Sequence, residues 1–105
     1  MSEKNYRICL NAPLGTRNGT MIFQETDGKV DGRLNIMNEK NRFSGVLSKE
    51  GQLTLTGVIR TLISTMRYTA TGTISEQKIL LNLKTDSGAQ YTIFGEEFHI
   101  DDKVL

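Results

Sequence analysis

The chain has 105 residues and a formal net charge of +1, with 13 Lys and Arg against 12 Asp and Glu. That length suits one domain with a real core but little room for a second site, and the charge balance gives no reason to expect nucleic acid or an anionic membrane as partner. A single cysteine, Cys9, excludes an internal disulfide, and neither a membrane-length apolar run nor an apolar leader at the start is present, so a cytoplasmic protein is expected.

Apolar and polar residues alternate with period 2 almost end to end, and helical periodicity is nearly absent. The first predicted strand, 5–11, sets Tyr6, Ile8 and Leu10 on one face and Cys9 on the other. The stretch NAPLGTRN (11–18) holds the only proline and reads as the longest turn, placed to act as a lid. Strands at 19–26 and 29–37 flank Asp27-Gly28, the strongest hairpin signal, because a type I′ turn needs positive φ at both central residues. After a turn at Asn38 to Lys40 come strands 41–48 and 52–60, joined by Lys49-Glu50-Gly51. The segment RTLISTMR (60–67) reads as a longer hairpin loop or a single helical turn. Strands 65–75, 78–85 and 90–98 complete the chain, with turns at Glu76-Gln77 and Asp86-Ser87-Gly88.

Short turns make neighbouring strands antiparallel and set their register. Phe23 then falls opposite Gly32, Met21 opposite Leu34 and Gly19 opposite Ile36. In the same way Leu47 meets Leu53, Gly45 meets Leu55, and Phe43 meets Gly57. Further along, Ile74 meets Ile79, Gly72 meets Leu81, and Ala70 meets Leu83; finally Leu83 meets Tyr91, Leu81 meets Ile93, and Ile79 meets Gly95. Each hairpin thus sets a glycine beside a large apolar group on one face. Glycine weakens a strand and packs nothing, but an inward glycine lets a strand bend sharply. The other face is wet and hydroxyl-rich: Asp31, Arg33, Asn35, Ser44, Ser48, Thr54, Thr56, Thr65, Thr69, Thr71 and Thr73. The pattern predicts an all-β fold, a single eight-stranded antiparallel up-and-down meander β-barrel over 1–105, because closure removes exposed edges. A two-sheet sandwich is the alternative.

No catalytic constellation emerges, and no enzyme, cofactor or metal site is expected. His99 is alone in the tail, and Glu96, Glu97, Asp101 and Asp102 match no calcium-loop spacing. Cys9 has no assigned histidine partner, and GTRNG (15–19) is followed by neither a Gly-Lys-Ser/Thr nor a helix. Glu25, at a strand end, is the one inward carboxylate. Binding suits the pattern better. An eight-stranded barrel is just wide enough to be filled by side chains or to hold one small ligand. The candidates facing such a cavity are Met21, Phe23, Phe43, Leu55, Met66, Tyr68, Leu81 and Tyr91, and they suit a small hydrophobic molecule. Tyr68 and Tyr91 bring phenols inside, and a buried phenol needs a partner. A packed core is the alternative. On the outside, Ile22 and Val46 flank Arg33 and are candidates for a homodimer interface, while Val58 and Leu80 are scattered exceptions. Arg33, Arg42, Arg60 and Arg67 point outward without interleaved aromatics and read as solvated.

The strand order, together with PLGTRNGTMIFQETDGKVDGRLNIM, FSGVL and LTGVI, resembles the lipocalin-like (calycin) up-and-down barrels. More narrowly, the chain looks like small bacterial, cytoplasmic lipocalin-like proteins of unassigned function. In size and glycine-punctuated hairpins it is also similar to the type III secretion negative regulator, a compact dimeric barrel. The resemblance implies either an interior ligand or a regulatory role exercised through the outer surface. That regulator uses an acidic surface motif; here Glu96-Glu97 and Asp101-Asp102 form no continuous run, so no partner site carries over. The opening Gly-x-Trp of secreted lipocalins is absent, since the chain has no tryptophan.

Overall fold

A computed structural model describes residues 2–12, 15–36, 38–60 and 64–98. Eight strands follow in order: β1 (Ser2–Ala12), β2 (Gly15–Thr26), β3 (Lys29–Ile36), β4 (Glu39–Leu47), β5 (Gln52–Arg60), β6 (Thr65–Ser75), β7 (Lys78–Thr85) and β8 (Gln90–Glu97). Each pairs antiparallel with the next, and β8 returns to β1, closing the barrel. Followed once around, the pairing arrives back on β1 displaced along the strand. That stagger is what tilts the strands of any closed barrel.

The hairpin register agrees with the turn chemistry. Phe23 lies opposite Gly32 and Met21 opposite Leu34. Gly45 lies opposite Leu55 and Phe43 opposite Gly57. Gly72 lies opposite Leu81, and Ile79 opposite Gly95. The Asp27-Gly28 turn has φ of 53° and 82°, as a type I′ turn requires. The Glu25 carboxylate accepts from the Gly28 N–H at 2.7 Å and braces it.

Inward glycines mark where adjacent backbones press together. A Cβ at Gly45 would overlap the Thr54 carbonyl oxygen, and one at Gly72 would overlap that of Leu80. Such approach lets short strands coil tightly enough to close.

Three expectations change. The stretch 11–18 is not the long loop expected, because Leu10 pairs with Arg17, Asn11 with Thr16 and Ala12 with Gly15; the ladder runs as far as Ala12 and Gly15. Residues 13 and 14 lie outside the described residues, as do 61–63 of the segment 60–67; of that segment's remainder, Arg60 ends β5 and Thr65 begins β6. The β3–β4 turn is tighter than the sequence suggested, since Glu39 already pairs with Ile36. As a result Val46 lies opposite Lys29 rather than beside Arg33, while Ile22 lies opposite Arg33. Four residues of strand separate the two rungs, roughly 13 Å, so Ile22 and Val46 do not form one patch.

Inside, Tyr6, Met21, Phe23, Val30, Leu34, Leu53, Leu55, Ile59, Ile79, Leu81, Leu83 and Ile93 are fully buried. Burying a large apolar side chain stabilises by about 1.5–3 kcal/mol, so this shared interior is the main force holding the strands closed. Outside, Thr54, Thr56, Thr69, Thr71, Thr73 and the arginines at 33, 42, 60 and 67 are exposed, as the alternation requires.

Candidate functional site in the barrel interior

Inward alternation on β1, β2 and β4 brings three aromatic rings together. Tyr6 stacks on Phe23 with centroids 5.9 Å apart, and Phe23 meets Phe43 edge-on at 6.4 Å. Phe43 faces Gly57, and a Cβ on that glycine would sit 2.8 Å from the Tyr68 hydroxyl. An aromatic lane therefore runs through the interior from Tyr6 past Phe23 and Phe43 to Tyr68.

Six of the eight cavity candidates are buried: Met21, Phe23, Phe43, Leu55, Tyr68 and Leu81, each at 5% exposure or less. Side chains fill the space around them in this structure. Met66 and Tyr91 are only partly buried and pack against the rim of the core. The second interior phenol is thus Tyr6, not Tyr91. Tyr6 shares the phase of Ile8 and Leu10, the signal by which the sequence alone could have placed it among the candidates. Its side chain is fully buried, and its hydroxyl has no hydrogen-bond partner among the described residues. Burial, and secondarily the negative charge of Glu97, push the Tyr6 phenol up to about 12. Burial also raises the Tyr68 phenol.

Glu97 corrects the expectation that Glu25 alone is inward. It lies opposite Tyr6 on β8, in the inward phase of Ile93 and Gly95, and its carboxylate stands 3.8 Å from the Lys4 ammonium. One mouth of the barrel is therefore charged at Lys4 and Glu97, with Tyr6 just inside. Of the expected acidic group, Glu96 and Glu97 are described, while His99, Asp101 and Asp102 lie outside the described residues. Among the described residues no three His, Cys, Asp or Glu side chains gather to hold a metal.

A second feature is a seam. β4 and β5 share only the rungs from Phe43–Gly57 to Leu47–Leu53, although both strands continue beyond Phe43. Asn41 fills the gap. Its Oδ1 accepts from the Arg60 backbone N–H at 3.0 Å, and its Nδ2 donates to the Leu34 carbonyl at 3.2 Å. The residue is buried, so its Oδ1 gives the Arg60 N–H the acceptor that the parted β4 and β5 backbones do not supply, while its Nδ2 ties the side chain to β3. A polar residue at a strand start gave no hint of this role.

On the outer face, an open concavity of about 520 Å³ lies across β6, β7, β8 and β1, with Cys9, Leu80 and Phe94 in its lining. Phe94 is legible in the sequence, since it alternates with the inward Ile93 and the β7–β8 hairpin sets it opposite Leu80; only its second neighbour, Cys9 on β1, is joined by no short turn.

The arrangement defines a class: a closed eight-stranded meander barrel with an aromatic lane in its interior and a seam on one side. Comparison with solved structures agrees. A redesigned β-barrel, mFAP1, described as bound to DFHBI, superposes with a TM-score of 0.71 at 14% identity over 88% of this chain and 91% of that one. A second redesigned β-barrel gives 0.72 at 13% identity over 90% of each. At such identity the likeness is one of fold. No family model and no curated protein matches the sequence, so neither comparison supplies a lipocalin or secretion-regulator relative.

Proposed function

We propose that the protein is a non-enzymatic cytoplasmic barrel that binds one small, flat, apolar molecule in its interior. The observation that carries this reading is the Tyr6 hydroxyl, buried without a partner at one end of an aromatic lane. An unpaired buried hydroxyl costs about 1–3 kcal/mol. A ligand with a single acceptor atom would relieve that cost while its rings lay along Phe23 and Phe43. Because the lane is now filled, binding displaces side chains, and the unbranched Met21 and Met66 are the ones that repack most readily. The seam beside Asn41 offers the way in, since it ends at Phe43. mFAP1 supports the reading as a barrel of the same strand arrangement described with a small molecule bound.

Native mass spectrometry on protein purified gently from its natural host, paired with a fluorescence titration using anilinonaphthalene sulfonate, tests the proposal. The expected result is one extra mass per chain, or saturable one-to-one dye binding that weakens in Phe43→Ala. Absence of both removes the interior-ligand reading.

A second reading, a regulatory or scaffolding module acting as a homodimer through its outer surface, is favoured by one observation. Leu80 and Phe94 are cross-strand partners, both large, apolar and about half exposed.

A further inference from the structure

Three rungs cross β7, β8 and β1 on the outer face. The middle rung is Leu80, Phe94 and Cys9. Leu80 is 51% exposed and Phe94 44%; the other exposed large hydrophobic among the described residues, Val46, stands on β4. On one side lies a charged rung, Lys78, Glu96 and Arg7, alternating plus, minus, plus. On the other side lies a neutral polar rung, Asn82, Thr92 and Asn11. Half-exposed aromatic and aliphatic groups framed by polar rows are the anatomy of an interface centre and its rim.

The order of these rungs selects an occupant. Let a second copy dock face to face, with a two-fold axis running along the middle rung. Leu80, Phe94 and Cys9 then meet their own counterparts. Each charged rung falls over the other copy's neutral rung, so Lys78, Glu96 and Arg7 meet Asn82, Thr92 and Asn11. No like charges oppose. An axis along the strands would instead set Glu96 against Glu96 and Lys78 against Arg7, which costs energy at both places. The first arrangement therefore brings the apolar rungs together and opposes no like charges, so it is compatible with an isologous contact.

We infer that the protein forms a two-fold homodimer through the outer face of β7, β8 and β1, anchored by Phe94. This rests on the second reading above, association through the outer surface, and gives that reading a surface and an axis. Ile22 and Val46 lie on other rungs and take no part. The arrangement also brings the two Cys9 residues opposite each other. Sheets packed face to face lie about 10 Å apart, too far for a disulfide but within reach of a short bis-maleimide. Cys9 is the only cysteine, so any cross-linked species must be Cys9 to Cys9.

Sedimentation equilibrium over a wide concentration range and bis-maleimide cross-linking test the inference together. The expected result is a reversible dimer that cross-links through Cys9. Phe94→Glu raises the dissociation constant at least tenfold and abolishes the cross-link, while Val46→Glu changes neither. Phe94→Thr, which places on β8 the residue type common on this face, gives the same loss of association if Phe94→Glu fails to fold. A strict monomer at every concentration overturns both the inference and the outer-surface reading. A dimer that survives both Phe94 substitutions without a Cys9 cross-link leaves the outer-surface reading standing and overturns this geometry alone.

Discussion

Phe43 faces Gly57 across β4 and β5, and theirs is the last rung before the two strands part. The absent side chain on Gly57 leaves room for the Phe43 ring and for the Tyr68 hydroxyl beneath it. One glycine thus serves both the curvature of the barrel and the depth of its aromatic lane.

Glycine-to-alanine substitutions should separate soft from hard contacts. A Cβ at Gly57 meets the Tyr68 hydroxyl, a side-chain end, and the Arg42 backbone carbonyl oxygen, both at 2.8 Å, a shallower overlap with backbone than at Gly45. A Cβ at Gly45 meets backbone on the neighbouring strand, which cannot move without breaking the ladder. Gly57→Ala should therefore cost about 1–2 kcal/mol and Gly45→Ala about 3 kcal/mol or more. Urea unfolding of both variants checks the order; equal losses would contradict it.

Asn41 should matter more than a surface amide. Asn41→Leu keeps the bulk but removes the side-chain acceptor of the Arg60 N–H and one donor to the Leu34 carbonyl. The expected loss is about 1–3 kcal/mol, with faster amide exchange at Arg60 than at Leu55. Wild-type exchange at Arg60 in that variant would show the seam held by something else.

The Glu76-Gln77 turn is a place to gain stability. Both residues hold positive φ, 53° and 73°, in a two-residue hairpin where neither is Gly or Asn. Glu76→Asn with Gln77→Gly gives the type I′ turn its preferred residues. Thermal unfolding should show a gain of about 1 kcal/mol. No gain would mean that the Glu76 or Gln77 side chain contributes elsewhere.

Alkaline pH should destabilise the fold through the buried phenols. An unfolded tyrosine ionises near pH 10, whereas folded Tyr6 keeps its proton up to about 12. Between those values the folded state binds more protons than the unfolded one, so stability falls as pH rises through the window and is unaffected below it. Tyr68, raised in the same direction, adds to the slope. Each phenol contributes at most about 1.4 kcal/mol per pH unit. Tyr6→Phe should flatten the profile above pH 10, read by circular dichroism melts. An unchanged slope would assign the titration to other groups.

At neutral pH, Tyr6→Phe also isolates the unpartnered hydroxyl. Stability should hold or rise by about 1 kcal/mol, because no hydrogen bond is lost and a buried polar atom is removed. Ligand affinity should fall in the same variant. A marked loss of stability would mean that the hydroxyl has a partner in solution.

Much of this protein is local, and so legible along the chain. Asp27-Gly28, Lys49 to Gly51 and Asp86 to Gly88 each join strands that pair immediately, and a tight turn leaves one register open. Alternation then assigns each residue a face, which is why the glycine rungs at Gly32, Gly45, Gly57, Gly72 and Gly95 follow from the chain alone. What alternation cannot supply is the contact between strands that no short turn connects. β1 and β8 lie at opposite ends of the chain, and their register follows only from the stagger accumulated around the whole barrel. That closure sets Glu97 against Tyr6, which makes the charged mouth, and sets Cys9 beside the Leu80–Phe94 pair that the β7–β8 hairpin already forms. The β4–β5 seam is of another kind: a short turn joins these strands, but nothing local tells that their ladder stops at Phe43–Gly57 and that the buried Asn41 side chain then serves the Arg60 N–H. Sequence determined the strands, their faces and their hairpins, because those depend on neighbours a few residues away. The tertiary structure alone decided what the first and last strands bring together, because closing a barrel is a property of all eight strands at once.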